Sequence, residues 1–150
     1  MRALLFLLVA GCGANPEATP AQHYLGTWSF SSGTDNVSCP NGTTSDALKG
    51  NVTIQKSSDG LLVLDEEGCN FSYTLDGGGA TTKNASCSFP VPELGQGVTA
   101  DVTYDLITLQ TSDGKSMTDS FNGKVTYAAS SGNLDCIFSG SATLTKVQSD

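Results

Sequence analysis

The feature that most constrains the fold of this chain is a repeated alternation of apolar and polar residues from Tyr24 onward. Thr, Ser, Val, Tyr and Phe dominate this part of the sequence, and no window keeps apolar residues on one face at helical spacing. Segments such as Phe71, Tyr73 and Leu75 alternate with a period of two. The pattern predicts an all-β chain whose strands each carry one apolar face.

Eight strands are predicted from this alternation, and glycine-containing turns separate several of them. The predicted strands span residues 24–31, 48–56, 61–65, 69–75, 81–89, 98–110, 117–128 and 134–147. Ser58-Asp59-Gly60 and Ser112-Asp113-Gly114 are typical of these turns, since glycine beside Asp or Ser suits tight reversals that need positive φ. No connection is long enough for a helical crossover, so consecutive strands are expected to pair.

A meander with one apolar face must bury that face, and closing into a barrel does so while removing the exposed edges. The sequence therefore predicts an eight-stranded antiparallel up-and-down barrel that forms one domain over residues 24–150. The longest irregular stretch, residues 32–47, is expected to be a plain loop held by Cys39. A lid over the barrel is the alternative for this stretch.

Four of the five cysteines lie within the predicted barrel domain and favour two disulfides. If the hairpin of the fourth and fifth strands is centred on Gly78, Cys69 lies opposite Cys87, at a separation that a cross-strand disulfide can bridge. Cys39 and Cys136 then remain, and both fall at one end of a barrel whose first and last strands pair. Four cysteines allow three connectivities. A thiol or metal site is the alternative, although it would want closer spacing or histidine partners.

The first residues have the features of a secretory signal peptide. Arg2 supplies a positive charge, an apolar run follows from Ala3 to Ala10, and the run is far too short to span a bilayer as a permanent helix. We therefore assign residues 1–11 to the signal peptide. Residues 12–23 contain two prolines and no periodicity, which predicts a flexible tether between the N-terminus and the barrel.

The end of this segment, Val9-Ala10-Gly11-Cys12, resembles a bacterial lipobox. The resemblance implies that Cys12 is the lipid attachment site, that the signal is cut before it, and that the membrane is a partner only through the lipid anchor. It also implies location in a bacterial cell envelope. By analogy this is the outer membrane, because Gly13 is not the acidic residue that retains some lipoproteins in the inner membrane. An ordinary signal peptide with an incidental cysteine is the alternative.

Loss of residues 1–11 would remove the one arginine and leave six lysines against fifteen carboxylates. Such a negative domain is expected not to bind nucleic acid or anionic lipid headgroups, because their phosphates would be repelled. The negative charge is expected to keep the domain soluble, and a weak cation-binding surface is the alternative. The Asp65-Glu66-Glu67 run is expected to be a solvated loop.

Gly26-Thr27-Trp28, at the start of the first strand, resembles the Gly-x-Trp opening of lipocalin-like and avidin-like barrels. The resemblance implies a lipocalin-like fold in which Trp28 packs across one end of the barrel. Lipocalins usually place an arginine from the last strand over that tryptophan, and Lys146 is the residue available to substitute for it in part. As a whole, the chain is also similar to small cell-envelope lipoproteins of unknown function.

No residue pattern in the sequence points to catalysis, to a metal site or to a cofactor. The one histidine, His23, lies in the predicted tether, where it cannot serve a triad. The leading expectation is a non-enzymatic envelope module that binds an apolar small molecule or a protein partner. Five aromatic residues are candidates either for lining such a site or for filling the core: Trp28, Phe30, Tyr104, Phe121 and Tyr127. The alternatives are a protease inhibitor acting through residues 13–23 and, third, an enzyme.

Overall fold

A computed structural model describes residues 20–65, 68–77 and 79–147 of the chain. The predicted signal peptide, Cys12 and the tether up to residue 19 lie outside the described residues, as do residues 66, 67 and 78. One short α-helix and nine strands follow in chain order: α1 (Pro20–Tyr24), β1 (Gly26–Cys39), β2 (Gly42–Ala47), β3 (Asn51–Ser57), β4 (Gly60–Asp65), β5 (Asn70–Asp76), β6 (Gly79–Pro90), β7 (Thr99–Gln110), β8 (Ser116–Ala129) and β9 (Gly132–Lys146). A single turn of 3₁₀ helix, Pro92–Leu94, lies between β6 and β7.

Eight of these strands close into an antiparallel barrel with up-and-down connectivity. From β3 to β9 each strand pairs with the next along the chain, and β1 closes the ring by pairing with β3 on one side and with β9 on the other. The alternation of buried and exposed residues along β5, β7 and β9 gives each an inner apolar face and an outer polar one. The predicted all-β, eight-stranded barrel is therefore confirmed.

The structure corrects the prediction for residues 32–47, which form neither a loop nor a lid. A bulge between Phe30 and Ser32 carries β1 onward as far as Cys39, and β2 returns beside it as a ninth strand outside the ring. Every residue of β2 is exposed. The sequence pattern missed these strands because they bury few apolar side chains, and backbone pairing with the long strand β9 is what holds β1 extended here.

Strand lengths divide the barrel into two ends. β3, β4 and β5 are seven, six and seven residues long, whereas β1 and β6 to β9 are 12 to 15 residues long. All eight strands surround the end next to α1, which we call the closed end. The long strands continue past the short ones towards Cys39 and Cys136, and we call this the open end.

Helix α1 and Trp28 seal the closed end. Trp28 is fully buried and its indole Nε1 donates a hydrogen bond of 2.7 Å to the carbonyl oxygen of Tyr24. The hydroxyl of Tyr24 donates in turn to the carbonyl oxygen of Leu109 at 3.3 Å. Lys146 Nζ lies 5.3 Å from the centroid of the Trp28 ring, in the place expected for a substitute cation. The last residues of the predicted tether, from Pro20, therefore belong to the folded unit.

Both predicted disulfides are confirmed. Cys39 and Cys136 join the ends of β1 and β9 with their Cα atoms 4.4 Å apart, and Cys69 and Cys87 are joined at 5.7 Å. The expected hairpin register is wrong by one residue, since Asp76 lies opposite Gly79. The observed β5–β6 pairing ends at Thr74 and Thr81, and Asn84, which has a positive φ of 53°, lies between this point and Cys87.

Candidate functional site

The interior of the closed end is filled by side chains. The largest fully buried side chains come from five strands and form a floor across the barrel: Trp28, Ile54, Leu61, Met117 and Leu144. Tyr73 and Ala80 belong to the same buried cluster. A ligand therefore has no room at this level of the barrel, and any internal site lies between the floor and the open end.

Four aromatic rings occupy the middle of the barrel, and we call them the aromatic cluster: Phe71, Tyr104, Phe121 and Phe138. Tyr104 is at its centre, with ring centroids 5.2 Å from Phe71, 5.0 Å from Phe138 and 6.1 Å from Phe121, all in edge-to-face geometry. Such contacts add about 0.5–1.5 kcal/mol per pair beyond the area that the rings bury. The cluster is thus a stiff inner wall.

One glycine on β8 and one on β9 make room for these rings. A Cβ atom added at Gly140 would collide with the ring of Phe121, and one added at Gly123 would lie 2.7 Å from the ring of Phe138. Both contacts are closer than a Cβ atom tolerates. The two glycines therefore fix where the aromatic rings lie against the inner surface of the sheet.

The five aromatic residues predicted as a ligand mouth or core are spread along the barrel axis. Trp28 is part of the floor, and Phe30 packs beside the same buried cluster. Tyr104 and Phe121 contact both this cluster and a second one near the open end, whereas Tyr127 contacts the second one alone. The structure therefore brings Tyr104 and Phe121 together and keeps Tyr127 well away from Trp28.

The inner surface above the floor remains partly accessible. Tyr104, Phe121 and Tyr127 face inward above the floor yet are only partly buried. The outward neighbours of Phe121 are polar and exposed, as the strand alternation requires. The described part of the chain therefore does not completely enclose these three inward-facing aromatic residues.

Asp119 is a functional candidate that the sequence analysis missed. It faces inward on β8 between Met117 and Phe121, and its cross-strand neighbours are Leu109 and Ala142. Some of the residue is accessible, but its Oδ1 atom is fully buried and has no hydrogen-bond partner among the described residues. Burial raises the pKa of this carboxyl to about 7. The signal was present in the sequence, because the period of two places Asp119 on an apolar face.

Two further carboxylates lie at the open end. Asp35 on β1 and Asp46 on β2 are directly opposite each other, so their side chains share one face of the sheet. Burial and, second, the charge of Asp46 raise the pKa of Asp35. Burial raises the pKa of Tyr127, and the charges of Asp35, Asp46 and Glu93 raise it further. These groups set a negative potential over the open end.

Two open depressions lie elsewhere on the surface. One of about 620 Å³ is at the closed end, between α1 and the turns near Asp76 and Asp113. The backbone N–H groups of Ser116 and Lys115 donate hydrogen bonds to Asp113 and lower its pKa. The other, of about 360 Å³, adjoins the Cys39–Cys136 disulfide. The first is lined mainly by polar side chains and the second by a mixture of polar and apolar ones, and neither is lined by Asp35 or Asp119, whose buried Oδ1 atoms have no partner among the described residues.

The described residues contain no group of three or more His, Cys, Asp or Glu side chains that could hold a metal ion. His23 lies on α1 at the closed end, far along the chain from the inner aromatic residues. Within residues 20–65, 68–77 and 79–147, no helix is long and apolar enough to cross a membrane.

The chain was compared with protein-family models, with curated proteins and with solved structures. None of them matches it. The candidate site is therefore defined by its own geometry: a sealed floor, an aromatic wall, and an inward-facing carboxyl below an acidic open end.

Proposed function

We propose that this protein is a non-enzymatic binding module of the bacterial cell envelope, which takes up a small, largely apolar molecule through the open end of its barrel. The observation that carries the proposal is the partial exposure of inward-facing aromatic residues above a sealed floor. Concave, mainly apolar sites with a few polar groups are the usual form of small-molecule sites.

The similarity to lipocalin-like and avidin-like barrels supports the same function. Trp28 occupies the closed end as in the Gly-x-Trp opening of those families, and Lys146 lies over its ring where lipocalins usually have an arginine. Barrels of this size can hold one small ligand in the interior. The support is architectural, and the ligand has to be argued from this chain's own side chains.

The lipid anchor is part of the proposal. Cys12 would carry the lipid, and residues 13–19 would link it to α1. Two disulfides in a small domain fit an oxidising compartment such as the bacterial periplasm or cell surface. Metabolic labelling with a radioactive fatty acid should mark the wild-type protein expressed in a bacterium, and Cys12→Ser should abolish the label. Equal labelling of both would contradict the anchor.

Binding is tested with an uncharged apolar fluorophore, N-phenyl-1-naphthylamine, and protein carrying Cys12→Ser. Dye fluorescence should rise on binding, and Phe121→Ala should weaken the affinity about tenfold, because an aromatic wall is lost. Asn122→Ala, the exposed neighbour on the same strand, is the matched control and should leave the affinity unchanged. No fluorescence increase, or equal effects of the two substitutions, would contradict an internal site.

A protease inhibitor acting through residues 13–23 stays a prediction. Four of those residues, from Pro20 to His23, pack as part of α1 on the protein's own barrel. Residues 13–19 lie outside the described residues. Incubation with a panel of proteases at micromolar concentration tests this alternative, and an absence of inhibition would remove it.

A further inference from the structure

The position of Asp119 is energetically unfavourable for a carboxyl group. Its neighbours on the inner face of the sheet are Met117, Phe121, Leu109 and Ala142, whose side chains carry no hydrogen-bond donor. Its Oδ1 is fully buried and unpartnered in the described part of the chain. A buried polar atom without a partner costs about 1–3 kcal/mol, and more when it is charged. An inward-facing group left in this state is what a site lacking its ligand would contain.

We propose that Asp119 anchors a protonated primary amine carried on an apolar body, which enters from the open end and packs against the aromatic cluster. The inference rests on the proposed binding function and names the class of ligand for that site. An ionised carboxylate only accepts hydrogen bonds, and an ammonium group only donates them, so the pair satisfies both.

The aromatic cluster favours the same ligand class. The faces of Tyr104 and Phe121 carry partial negative charge and attract a cation that lies within about 6 Å of a ring centroid. Phe121 is also two residues from Asp119 on the same face of β8, so one ligand can contact both. The apolar body of the ligand would replace water on the accessible parts of these rings.

No lysine of the described chain contributes to the pKa of Asp119. Lys146 lies over Trp28 at the closed end. The other five are exposed: Lys49, Lys56, Lys83, Lys115 and Lys124. The positive partner of Asp119 would therefore come from outside the chain.

The open end would help a cation to enter. Burial is the main cause of the raised pKa of Tyr127, and the charges of Asp35, Asp46 and Glu93 raise it further, so their field reaches this residue near the open end. A negative entrance raises the local concentration of cations and their association rate, and salt weakens this effect.

Binding should release protons. Burial alone raises the pKa of Asp119 to about 7, so at pH 7 about half of the molecules carry a proton on this group. Inward-facing titratable groups on the adjacent strands are Tyr104 on β7 and Lys146 on β9, with Asp35 beyond them on β1, and none of them contributes to this pKa. An ammonium ion that pairs with the carboxylate would expel the proton.

Isothermal titration of n-octylamine and of 1-octanol into the Cys12→Ser protein at pH 7 tests the inference. We expect the amine to bind about tenfold or more tightly than the alcohol of equal length, because only the amine pairs with the carboxylate. Repeating the titration in two buffers of different ionisation enthalpy should show about half a proton released per amine bound.

Asp119→Asn should abolish both the amine preference and the proton release. Asp105→Asn, at an exposed position on β7, removes the same charge from the surface and should change neither. Melting curves of both variants establish that they are folded, and Asn in place of the buried acid is expected to raise the melting temperature. A lost preference therefore cannot be ascribed to unfolding.

The outcomes separate the two proposals. Equal binding of amine and alcohol would overturn the amine inference and leave the binding function standing. An absence of binding by amine, alcohol and fluorophore would overturn both. An amine preference that survives Asp119→Asn would also overturn the inference, since the charge at the open end would then be its cause.

Discussion

Trp28 is held by groups from two elements, Tyr24 of α1 and Lys146 of β9, and Lys146 is the one that sequence resemblance singled out. The ammonium at 5.3 Å from the ring centroid is within the range of a cation–π interaction. Lys146→Met keeps the length and apolar stem of the side chain but removes the charge. We expect it to lower the free energy of unfolding by about 0.5–1 kcal/mol in urea titrations.

Lys124→Met is the control for this substitution, because Lys124 is exposed on the outer face of β8. It should change the free energy of unfolding by less than about 0.5 kcal/mol. Equal effects of the two substitutions would mean that the charge at Lys146 contributes nothing specific to the closed end.

Asp119 makes stability depend on pH. Its pKa in the folded protein, about 7, lies above the ordinary value of 3.8, so the folded chain holds this proton more tightly than the unfolded chain does. The free energy of unfolding should therefore decline as the pH rises from about 4 to 7 and level off above. Asp119→Asn should remove this decline and stabilise the protein at pH 8 by about 2–4 kcal/mol.

Urea unfolding at pH 4 and at pH 8 measures this effect, with Asp105→Asn as the exposed control. The gain from Asp119→Asn should be large at pH 8 and small at pH 4. A gain of the same size at both values would show that the proton on Asp119 is not its source.

Single residues differ in how well the sequence revealed them. Trp28 was identified because it belongs to a short motif, and Lys146 because it is a cation on the last predicted strand. Asp119 was missed although the period of two places it on the apolar face of β8, because the sequence does not show how deeply that position is buried. Its environment depends on Leu109 and Ala142, which are close only after folding.

The β5–β6 pair depends on its disulfide more than any other neighbouring pair of the barrel. Three cross-strand residue pairs near the turn join these strands, whereas β6 and β7 share ten. Beyond Thr81 the connection across to β5 rests on Cys69–Cys87. Replacing both cysteines with serine should lower the free energy of unfolding by about 3 kcal/mol and accelerate amide exchange in β5.

Hydrogen exchange with mass spectrometry measures the local effect. The matched variant replaces Cys39 and Cys136 with serine, and exchange should then increase at the ends of β1 and β9 rather than in β5. Identical exchange patterns in the two variants would contradict a separate role for each disulfide.

Most strands were predictable because alternation and glycine turns are local signals. The strand β2 was not, since its residues are exposed on both faces and its pairing with β1 depends on a bulge. The hairpin register was wrong by one because the run Gly77-Gly78-Gly79 allows more than one centre for the turn. The hydrophobic pattern does not choose between two centres that differ by half a residue.

At the scale of the whole molecule, strand lengths predict a gradient of stability. The closed end has eight strands around a buried floor, whereas at the open end the exposed strand β2 forms an edge. Amides of β2 should exchange about 100-fold faster than those of β9 near Leu144. Residue-resolved hydrogen exchange by NMR measures both, and equal protection would contradict the division into two ends.

Closure of the barrel followed from the need to bury apolar faces and remove edges, so the overall architecture was legible in the sequence. The difference between the closed end and the open end could not be predicted, because it depends on how far each strand pairs with its neighbours. The sequence also could not place the aromatic residues at different depths, since depth combines strand tilt with register.

The sealing of the closed end by α1 and Trp28 has a kinetic consequence for any ligand of the barrel. Because the closed end is blocked, a ligand would associate and dissociate through the same opening and would cross the same free-energy barrier in both directions. A substitution that widens or narrows this opening without contacting the bound ligand would change the association and dissociation rate constants by the same factor. Residence time would then change while occupancy at equilibrium stayed the same.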